Sequence, residues 1–367
     1  MRQAVMTTLF ISMFVLVIGA SVYIPFRLGR LFQLQSAKAL YAIFIFGLIS
    51  FFLSAVLQSR MPNGFVNIYY ILSMQWFGFF IYLIFIILGF EIINVFIKLQ
   101  PKISAVTVIA IALVFAVYST WSAYRIKNVS VDIPIKGIVD EVKIVHLSDI
   151  HLGVFRNHKY LKRLVEETNK LNPHIVLLNG DLFDGRNALR NSILSPLRDF
   201  KAPVYFTTGN HDSYAGIEEA METLKKNGVK ILRNSYITLE GVQFIGLDYM
   251  KADPDTFDMH VVNKYTIKDI LPKIKMLPGV PKVLVHHSPV GVKYMKERGI
   301  NLMISGHTHG GQMFPGMLIA RVFFPYLKGL YNYNGTHVYV SQGAGTFGPA
   351  MRFGTNNEIS FIRLKKK

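Results

Sequence analysis

Four long apolar runs fill the first third of the chain and constrain its fold more than any other feature. The first 128 of the 367 residues contain a single acidic residue, Glu91, and nine Lys or Arg residues. Each run is free of charged residues and long enough to cross the hydrocarbon core of a bilayer, which takes about 20 apolar residues in a helix. The runs cover residues 3–26, 39–59, 61–90 and 103–124. The sequence therefore predicts four transmembrane helices within residues 1–128.

The first run also has features of a signal peptide, because Arg2 precedes it and small residues occupy positions 19–21. Its length and the three runs behind it favour a membrane anchor. Five Lys or Arg residues lie in the first and third connecting loops, against four on the other side. Because basic residues concentrate in cytoplasmic loops, this distribution favours those two loops inside the cell. We therefore predict a multi-pass cell-membrane protein whose C-terminal domain is extracytoplasmic.

Residues 129–367 have the composition of a basic soluble domain. They hold 31 of the 40 Lys and Arg residues and 21 of the 22 Asp and Glu residues, a surplus of ten positive charges. This surplus suits an anionic lipid surface or an anionic substrate, although a generally basic proteome explains it equally well. The chain has no cysteine, which excludes disulfides, thiolate catalysis and cysteine-ligated zinc or iron–sulfur sites.

Strands alternate with helices in the first part of this domain. Apolar runs predict strands at 129–134, 142–147, 175–178 and 204–206, and helical spacing of apolar positions predicts a helix around 161–168. Such alternation is typical of parallel strands covered on both faces. Later segments read mostly as strands, at 231–239, 241–247, 283–285, 302–304, 337–341 and 358–364. The predicted fold class is α/β, a layered α-β-β-α sandwich of two sheets preceded by the transmembrane region.

Five of the predicted strands end in clusters of Asp, His or Asn. The clusters lie at 148–153, 179–184, 208–212, 286–289 and 305–309. A His-x-His turn such as that of His307 and His309 is weak evidence by itself, because ordinary turn chemistry also explains it. Five such clusters together would leave many buried polar groups without partners, unless they share a ligand. A pair of divalent cations, bound by mixed oxygen and nitrogen donors, would satisfy all of them.

Taken in order, the clusters resemble the motifs of the calcineurin-like metallophosphoesterases. That family carries D-x-H, G-D-x-x-D, G-N-H-[D/E], an isolated His and G-H-x-H. This sequence has them at 149–151, 180–184, 209–212, 287 and 306–309, within a region of similarity that runs from about 130 to 364. The Gly-Gly-Gln extension at 310–312 and the Gly-Ala-Gly-Thr segment at 343–346 resemble a membrane-associated bacterial branch of the family.

The resemblance implies a binuclear metal site in which Asp181 is the bridging ligand. One ion would be held by Asp149, His151, Asp181 and His309. The other would be held by Asp181, Asn210, His287 and His307. A carboxylate with two oxygens suits the bridging position, and Gly180 lets the backbone come close. Donors without sulfur fit two divalent ions of manganese, iron or zinc.

His211 and Asp212 are the predicted catalytic pair. In the family this imidazole faces the substrate, as a donor to a phosphoryl oxygen or as the acid for the leaving oxygen, and Asp212 is expected to orient it. For Asp184 the resemblance implies support of a ligand or a turn, and a purely structural role is favoured. His286 is expected in the core. The histidines that match no family motif are expected to be ordinary hydrogen-bonded or exposed residues: His146, His158, His174, His260 and His337.

The resemblance implies a metal-dependent phosphoric ester hydrolase, whose two ions activate a water for in-line attack on phosphorus. A membrane anchor favours a phosphodiester or pyrophosphate bond in a lipid-linked or envelope substrate, because tethering raises the effective concentration. A nucleotide or nucleic-acid phosphodiester is the alternative, and a non-catalytic membrane scaffold is a third reading. The expected partners are the phosphorylated substrate and the bilayer, and no stable protein partner is inferred.

Two segments near the His-x-His turn bear on substrate choice. The apolar and aromatic residues at 313–315 and 322–326 fit docking on an anionic interface, or equally a place in the core or against the transmembrane helices. His174 and residues 355–358 depart from the family pattern. These departures leave the metal set intact but weaken any transfer of substrate choice from the family.

Overall fold

The computed structural model describes residues 2–256 and 263–367, and the contacts within it define two compact units. One unit is Met1–Ser122 together with Gly348–Phe353. The other is Ala123–Phe347 together with Gly354–Lys367. His260, one of the histidines expected to be ordinary, lies outside the described residues.

The helical unit contains the four predicted long helices. They are α1 (Arg2–Leu31), α2 (Lys38–Arg60), α3 (Gly64–Phe96) and α4 (Pro101–Ser122). All four are long and apolar enough to cross a membrane. Large apolar side chains point outward from them, as in Phe46 at 67% exposed and Val117 at 69% exposed. A water-soluble helix bundle would bury such a surface, whereas lipid would cover it.

Residues Gly348–Phe353 pack inside the helical unit, although the sequence around them belongs to the other unit. The backbone N–H of Ala350 donates to Gln75 Oε1 at 3.1 Å, and the ring of Phe353 stacks 4.9 Å from that of Phe115. A second polar contact joins α1 to α3, where the guanidinium of Arg27 donates hydrogen bonds to both carboxylate oxygens of Glu91. Glu91, the single acid of this region, therefore has a partner within the helical unit.

The second unit contains two six-stranded sheets. The first has the order β1-β12-β2-β3-β4-β5 and the second has the order β10-β11-β9-β8-β7-β6. In chain order the strands are β1 (Ile126–Ile135), β2 (Val142–Leu147), β3 (Ile175–Asn179), β4 (Val204–Thr207), β5 (Lys230–Ile231), β6 (Ser235–Leu239), β7 (Val242–Gly246), β8 (Lys282–Val285), β9 (Leu302–Ser305), β10 (Gly329–Tyr333), β11 (Thr336–Val340) and β12 (Asn357–Lys366). Strands β2 to β5 run parallel, as do β7, β8, β9 and β11.

The helices of this unit are α5 (His158–Lys170), α6 (Asn191–Leu194), α7 (Asp212–Ala215), α8 (Ile217–Lys226), α9 (Ile267–Ile270), α10 (Val292–Glu297) and α11 (Gly316–Phe323). All of them except α11 bury apolar side chains in the clusters that flank the sheets. In α5 the buried face is spaced as predicted, and the side chain of Asn157 caps the first turn. One apolar cluster packs α5 and α8 on the first sheet, a second lies between the sheets, and a third packs α9 and α10 on the second sheet. The predicted α/β layered sandwich is confirmed.

The prediction of a single strand at 231–239 is wrong. The segment contributes β5 to the first sheet and β6 to the second. Between them the chain turns at Asn234, whose φ of 46° is left-handed. Strand β10 was not predicted, because its side chains alternate between half-buried and exposed positions and give a weak apolar signal.

Candidate metal centre

The predicted ligands follow the carboxyl ends of five strands of the second unit, β2, β3, β4, β8 and β9. Backbone hydrogen bonds tie the turns after β2 and β3 together. The N–H of Asp149 donates to Gly180 O at 3.1 Å, and the N–H of His151 donates to Asp181 O at 3.0 Å. Both carboxylate oxygens of Asp149 lie 3.0 Å from the backbone N of His307, which follows β9 in the other sheet. The two sheets thus share one polar edge.

Close backbone packing at this edge depends on Gly180. It has a φ of 72°, and a Cβ there would lie 2.5 Å from His287 Nδ1 and 2.8 Å from Gly209 Cα. Such distances are shorter than any real Cβ contact, so a side chain would push two predicted ligand loops apart. The sequence-based role of Gly180, a close approach of backbone to the bridging Asp181, agrees with this packing.

Asp149, His151 and His309 form one group of candidate metal ligands. Their ligand atoms lie within 4.8 Å of one another, and all three residues are buried. His151 Nε2 is 3.2 Å from His309 Nε2, which in turn is 3.4 Å from Asp149 Oδ1. Two nitrogens each about 2.1 Å from one ion, and separated by roughly 100° at that ion, lie about 3.2 Å apart. The spacing therefore fits a shared cation.

Asp181, His287 and His307 form the second group, again within 4.8 Å of one another. His287 Nε2 lies 3.1 Å from Asp181 Oδ2. The same oxygen lies 3.9 Å from His151 Nε2 of the first group. The Asp181 carboxylate therefore lies between the two groups, as a bridging ligand must.

Asn210 supplies an independent test of the fit to a metal. Asn210 is 4% exposed, and its Oδ1 accepts no hydrogen bond from the residues that the structure describes. A buried amide oxygen without a partner costs free energy, roughly 1–3 kcal/mol. A hard cation accepts such an oxygen as a ligand. The donor set therefore fits two divalent ions, and the place of Asn210 with Asp181, His287 and His307 stays a prediction from the resemblance.

Two of the candidate histidines are held by hydrogen bonds at the ring nitrogen that faces away from the centre. His287 Nδ1–H donates to the backbone O of Asn179 at 2.8 Å. His151 Nδ1–H donates to Asp184 Oδ1 at 2.5 Å. Each bond fixes the tautomer that presents Nε2 as a ligand. Asp184 thus supports a candidate ligand directly, which is the role that the resemblance implied.

Five of the candidate ligands have a left-handed backbone, which is rare for residues other than glycine. Their φ angles range from 49° to 71°. They are Asp149, His151, Asp181, His307 and His309. Each such conformation costs on the order of 1–3 kcal/mol and persists where the surrounding structure enforces it, most often at functional sites.

His211 lies at the edge of both groups. Its ring is 4.7 Å from that of His151, its Nδ1 is 3.9 Å from Asp184 Oδ1, and its side chain is 28% exposed. Its backbone N–H donates to Asp181 Oδ1 at 2.8 Å, which holds the residue beside the predicted bridging ligand. The imidazole is therefore accessible and adjacent to the candidate metal ligands, as a proton donor to substrate must be.

Asp212 does not contact the His211 ring in the way the sequence suggested. Its carboxylate accepts hydrogen bonds from four backbone N–H groups instead. The donors are Asp181 at 2.9 Å, Leu182 at 2.9 Å, Phe183 at 3.2 Å and Gly209 at 2.7 Å. The reason is that α7 begins at Asp212 and directs this side chain toward the turn after β3. The expectation that Asp212 orients His211 is therefore corrected: Asp212 joins two ligand loops.

Asn179 belongs to the predicted polar cluster at 179–184, where no role was assigned to it, and it also joins the ligand loops. Its side-chain Nδ2 donates to Ile304 O at 3.1 Å, across the two sheets, and its Oδ1 accepts from Thr207 Oγ1 at 2.9 Å. The same Nδ2 lies 3.1 Å from Nε2 of His146, a buried histidine with an ordinary hydrogen-bonded role. His286 is likewise buried, and its Nδ1–H donates to Ser288 O at 2.7 Å. A polar residue closing an apolar strand is the sequence signal that would have found Asn179.

The carboxylates of the centre raise the pKa values of two candidate ligands, His287 and His151, whereas burial is the largest of the causes that lower the pKa of His211. Burial acts to lower the pKa of His287, but the Asp181 and Asp149 carboxylates outweigh it and raise that pKa to about 10. Burial likewise opposes protonation of His151, and Asp184 leads the carboxylates that raise its pKa to about 8. The metal-free centre therefore holds protons that a metal ion must displace at neutral pH.

We expect Mn²⁺ affinity of the metal-stripped protein to rise steeply with pH. Below a ligand pKa of about 8, affinity rises by about tenfold per pH unit for each proton displaced. Calorimetric titration of Mn²⁺ at pH 6, 7 and 8, in buffers of different ionisation enthalpy, measures both the affinity and the protons released. Equal affinity at all three pH values, with no proton release, would contradict the assignment of these histidines as ligands.

Comparison with known proteins agrees with the geometry of the centre. A family model described as calcineurin-like phosphoesterase matches residues 142–311. The chain is 31% identical over 281 residues to an uncharacterized metallophosphoesterase of Campylobacter jejuni, covering 75% of this chain and 72% of that protein. It is 34% identical over 232 residues to an uncharacterized metallophosphoesterase of Helicobacter pylori strain J99, covering 62% of this chain and 60% of that protein.

A eukaryotic relative shares more than the predicted catalytic region. The chain is 34% identical over 282 residues to the Danio rerio protein named transmembrane protein with metallophosphoesterase domain, covering 71% of this chain and 62% of that protein. The match to the Helicobacter pylori relative spans only about three fifths of that relative's length. The Campylobacter jejuni match covers more than two thirds of its relative, and residues 142–311, which the family model matches, include every motif. The chain belongs to the calcineurin-like phosphoesterase family.

Proposed function

We propose that the protein is a membrane-anchored phosphoester hydrolase with a binuclear metal site, acting on a phosphodiester or pyrophosphate bond in a lipid-linked or envelope substrate. The observation that carries the hydrolase assignment is the convergence of six donor side chains from four strand ends, and the buried Asn210 oxygen, which has no hydrogen-bond partner among the described residues, follows a fifth strand. Two divalent ions bound there would supply an activated water and would neutralise the charge that develops on the phosphoryl oxygens.

The side chains of the centre would bind the two ions and transfer a proton. Asp149, His151 and His309 would hold one ion, and Asn210, His287 and His307 the other, with Asp181 shared. Hydrolysis adds the oxygen of water to phosphorus and breaks the bond to the leaving oxygen, which takes up a proton. His211 is the partly exposed imidazole beside these ligands, and we assign it the transfer of that proton.

We expect His211→Asn to lower kcat by about a hundredfold to a thousandfold while metal content stays unchanged, because general-acid catalysis contributes roughly that much. The loss should be larger for an alkyl leaving group than for p-nitrophenolate, which leaves without a proton. Turnover of matched alkyl and p-nitrophenyl diesters measures the difference, and His158→Asn is the control. Equal losses on both substrates would remove His211 from the proton-transfer role.

The four apolar helices support the lipid-linked substrate. An enzyme held at a bilayer meets membrane-embedded substrates at a much higher effective concentration than soluble ones. A basic catalytic domain also suits the anionic phosphates of such substrates. Nucleotide phosphodiesters remain the competing substrate class, since the same metal chemistry would cleave them.

Direct comparison of the two substrate classes tests the proposal. The full-length protein in lipid nanodiscs is assayed with Mn²⁺ on a phosphodiester or pyrophosphate lipid embedded in the same nanodisc, and on nucleotide phosphodiesters in solution. We expect kcat/KM to favour the lipid by at least about tenfold. A preference for nucleotides would assign the enzyme to the second class, and lack of turnover on every phosphoester would refute the hydrolase assignment.

Metal identity and orientation are parts of the same proposal. Manganese, iron and zinc all suit the donor set, and elemental analysis of protein purified without chelators identifies the ion and its stoichiometry. The distribution of Lys and Arg supports a catalytic domain outside the cell. Protease protection in right-side-out vesicles tests this orientation, because a cytoplasmic domain would survive the treatment.

A further inference from the structure

Helix α11 presents an apolar face to solvent directly after the His-x-His turn. Leu318 is 54% exposed, Ile319 is 42% exposed and Val322 is 57% exposed, and Phe314 just before the helix is 45% exposed. Leu318, Ile319 and Val322 are spaced so that they share one side of the helix. In the part of the chain that the structure describes, α11 buries none of its residues. A soluble domain gains nothing by exposing such a face unless the face binds something.

The helix is fixed against the candidate metal centre. A Cβ at Gly311 would lie 2.3 Å from Met317 Cα, so the turn after His309 and the start of α11 pack backbone to backbone. At the other end, the ring of Phe324 contacts the ring of His307 edge-on, with centroids 5.3 Å apart. The apolar face therefore begins beside two candidate metal ligands and is held in place relative to them.

Aromatic side chains from helix α7 and from the loop after β11 border the same centre. The ring of Phe347 lies 4.9 Å from that of His309, and the ring of Tyr214 lies 5.2 Å from that of His211. Both residues are about half exposed, Phe347 at 47% and Tyr214 at 52%. A substrate substituent that lies beside either ring would therefore meet an apolar surface next to the candidate ligands.

We propose that the outer face of α11, together with Phe314, binds the hydrocarbon chain of the phosphoester substrate. This inference rests on the proposed lipid-linked function and adds the surface that recognises the lipid. Leu318, Ile319 and Val322 are aliphatic and suit an acyl or isoprenoid chain better than a nucleobase. Arg321, exposed at the edge of the same helix, complements an anionic phosphate. A second protein is a poorer occupant, because a stable interface takes roughly 20–30 residues a side.

A homologous series of alkyl p-nitrophenyl phosphates, with chains of two to ten carbons, tests the proposal on full-length protein in nanodiscs with Mn²⁺. We expect kcat/KM of the unmodified protein to rise about twofold to fourfold per methylene as the chain covers the face. In the double variant Leu318→Ser/Val322→Ser, the ten-carbon ester should lose at least about tenfold and the two-carbon ester should be unaffected. Partitioning into lipid is the same for both proteins and cancels in the comparison.

The outcomes separate this proposal from the one on which it rests. Val139→Ser removes an 83% exposed apolar side chain elsewhere on the same unit and should keep the full chain-length dependence. An unmodified protein that cleaves the two-carbon ester without any gain for longer chains would refute both the lipid-linked substrate and the role of α11. If kcat/KM still rises with chain length in the double variant, the role of α11 is refuted and the lipid-linked substrate is not. If the double variant differs from the unmodified protein in oligomeric state, measured by light scattering, and still shows the rise of kcat/KM with chain length, the face is a subunit contact instead.

Discussion

Replacement of Asp181 by Asn is expected to lower kcat/KM by about a thousandfold and to reduce the metal content of the purified protein. Asp181 Oδ2 lies 3.1 Å from His287 Nε2 and 3.9 Å from His151 Nε2, so its carboxylate is within reach of both candidate ligand groups, as the predicted bridging ligand must be. An amide keeps the shape of the side chain but loses its charge and one oxygen acceptor. Loss of about 4 kcal/mol of transition-state stabilisation corresponds to three decades in rate.

Elemental analysis and turnover of Asp181→Asn are measured beside Asp140→Asn, a matched change at an exposed acid of the same unit. The control should keep both its metals and its activity. The pair also separates an enzyme from a membrane scaffold, because a scaffold would keep its biological activity in the Asp181 variant. Full metal content with normal turnover in that variant would remove Asp181 from the bridging position.

Local sequence patterns predicted the strands that present the ligands because those strands are almost entirely buried. Strand β2 has the bounds that were predicted from its apolar run, 142–147, and every ligand motif begins within two residues of a strand end. A buried strand must be apolar along its length, so the change to Asp, His and Asn marks its end. The resemblance to a known family then indicated which of these polar residues face the centre.

Features that depend on tertiary packing could not be read from the sequence. The division of 231–239 between two sheets depends on a left-handed residue, Asn234, which apolar periodicity does not reveal. Residues 348–353 resemble an ordinary loop, yet Ala350 and Phe353 have their partners in the helical unit. In each case the deciding partner lies far away in the chain.

Asp212 shows the same limit within the candidate site. Its position next to His211 suggested that the two side chains interact, since an adjacent acid often orients a catalytic imidazole. A helix that begins at Asp212 turns the carboxylate toward the loop after β3 instead. Burial and the nearby Asp181 carboxylate raise the pKa of Asp212 to about 7, against the lowering effect of the Gly209 and Phe183 N–H groups. We therefore assign the pair two separable proposed roles, proton transfer to His211 and the joining of the ligand loops to Asp212.

This separation leads to the second large expected effect. Asp212→Ala should lower the free energy of unfolding by about 3–5 kcal/mol, because it leaves four buried backbone N–H groups without an acceptor. Asp212→Asn should cost less, since one amide oxygen still accepts while the amide nitrogen faces further donors. For a domain of this size the alanine variant should melt about 10 °C lower, as measured by thermal scanning of the full-length protein with bound metal.

Metal content distinguishes a loop-joining role for Asp212 from a catalytic one. If the carboxylate holds the turns of Asp181 and Gly209 in place, both variants should lose metal in parallel with thermal stability, and His211→Asn should lose neither. Excess Mn²⁺ should then restore part of the melting temperature and part of the turnover together, because bound metal stabilises only the folded loops. Asp140→Ala controls for loss of a surface charge. If Asp212→Ala abolishes turnover while melting temperature and metal content stay unchanged, Asp212 acts directly on His211 and the loop-joining role is refuted.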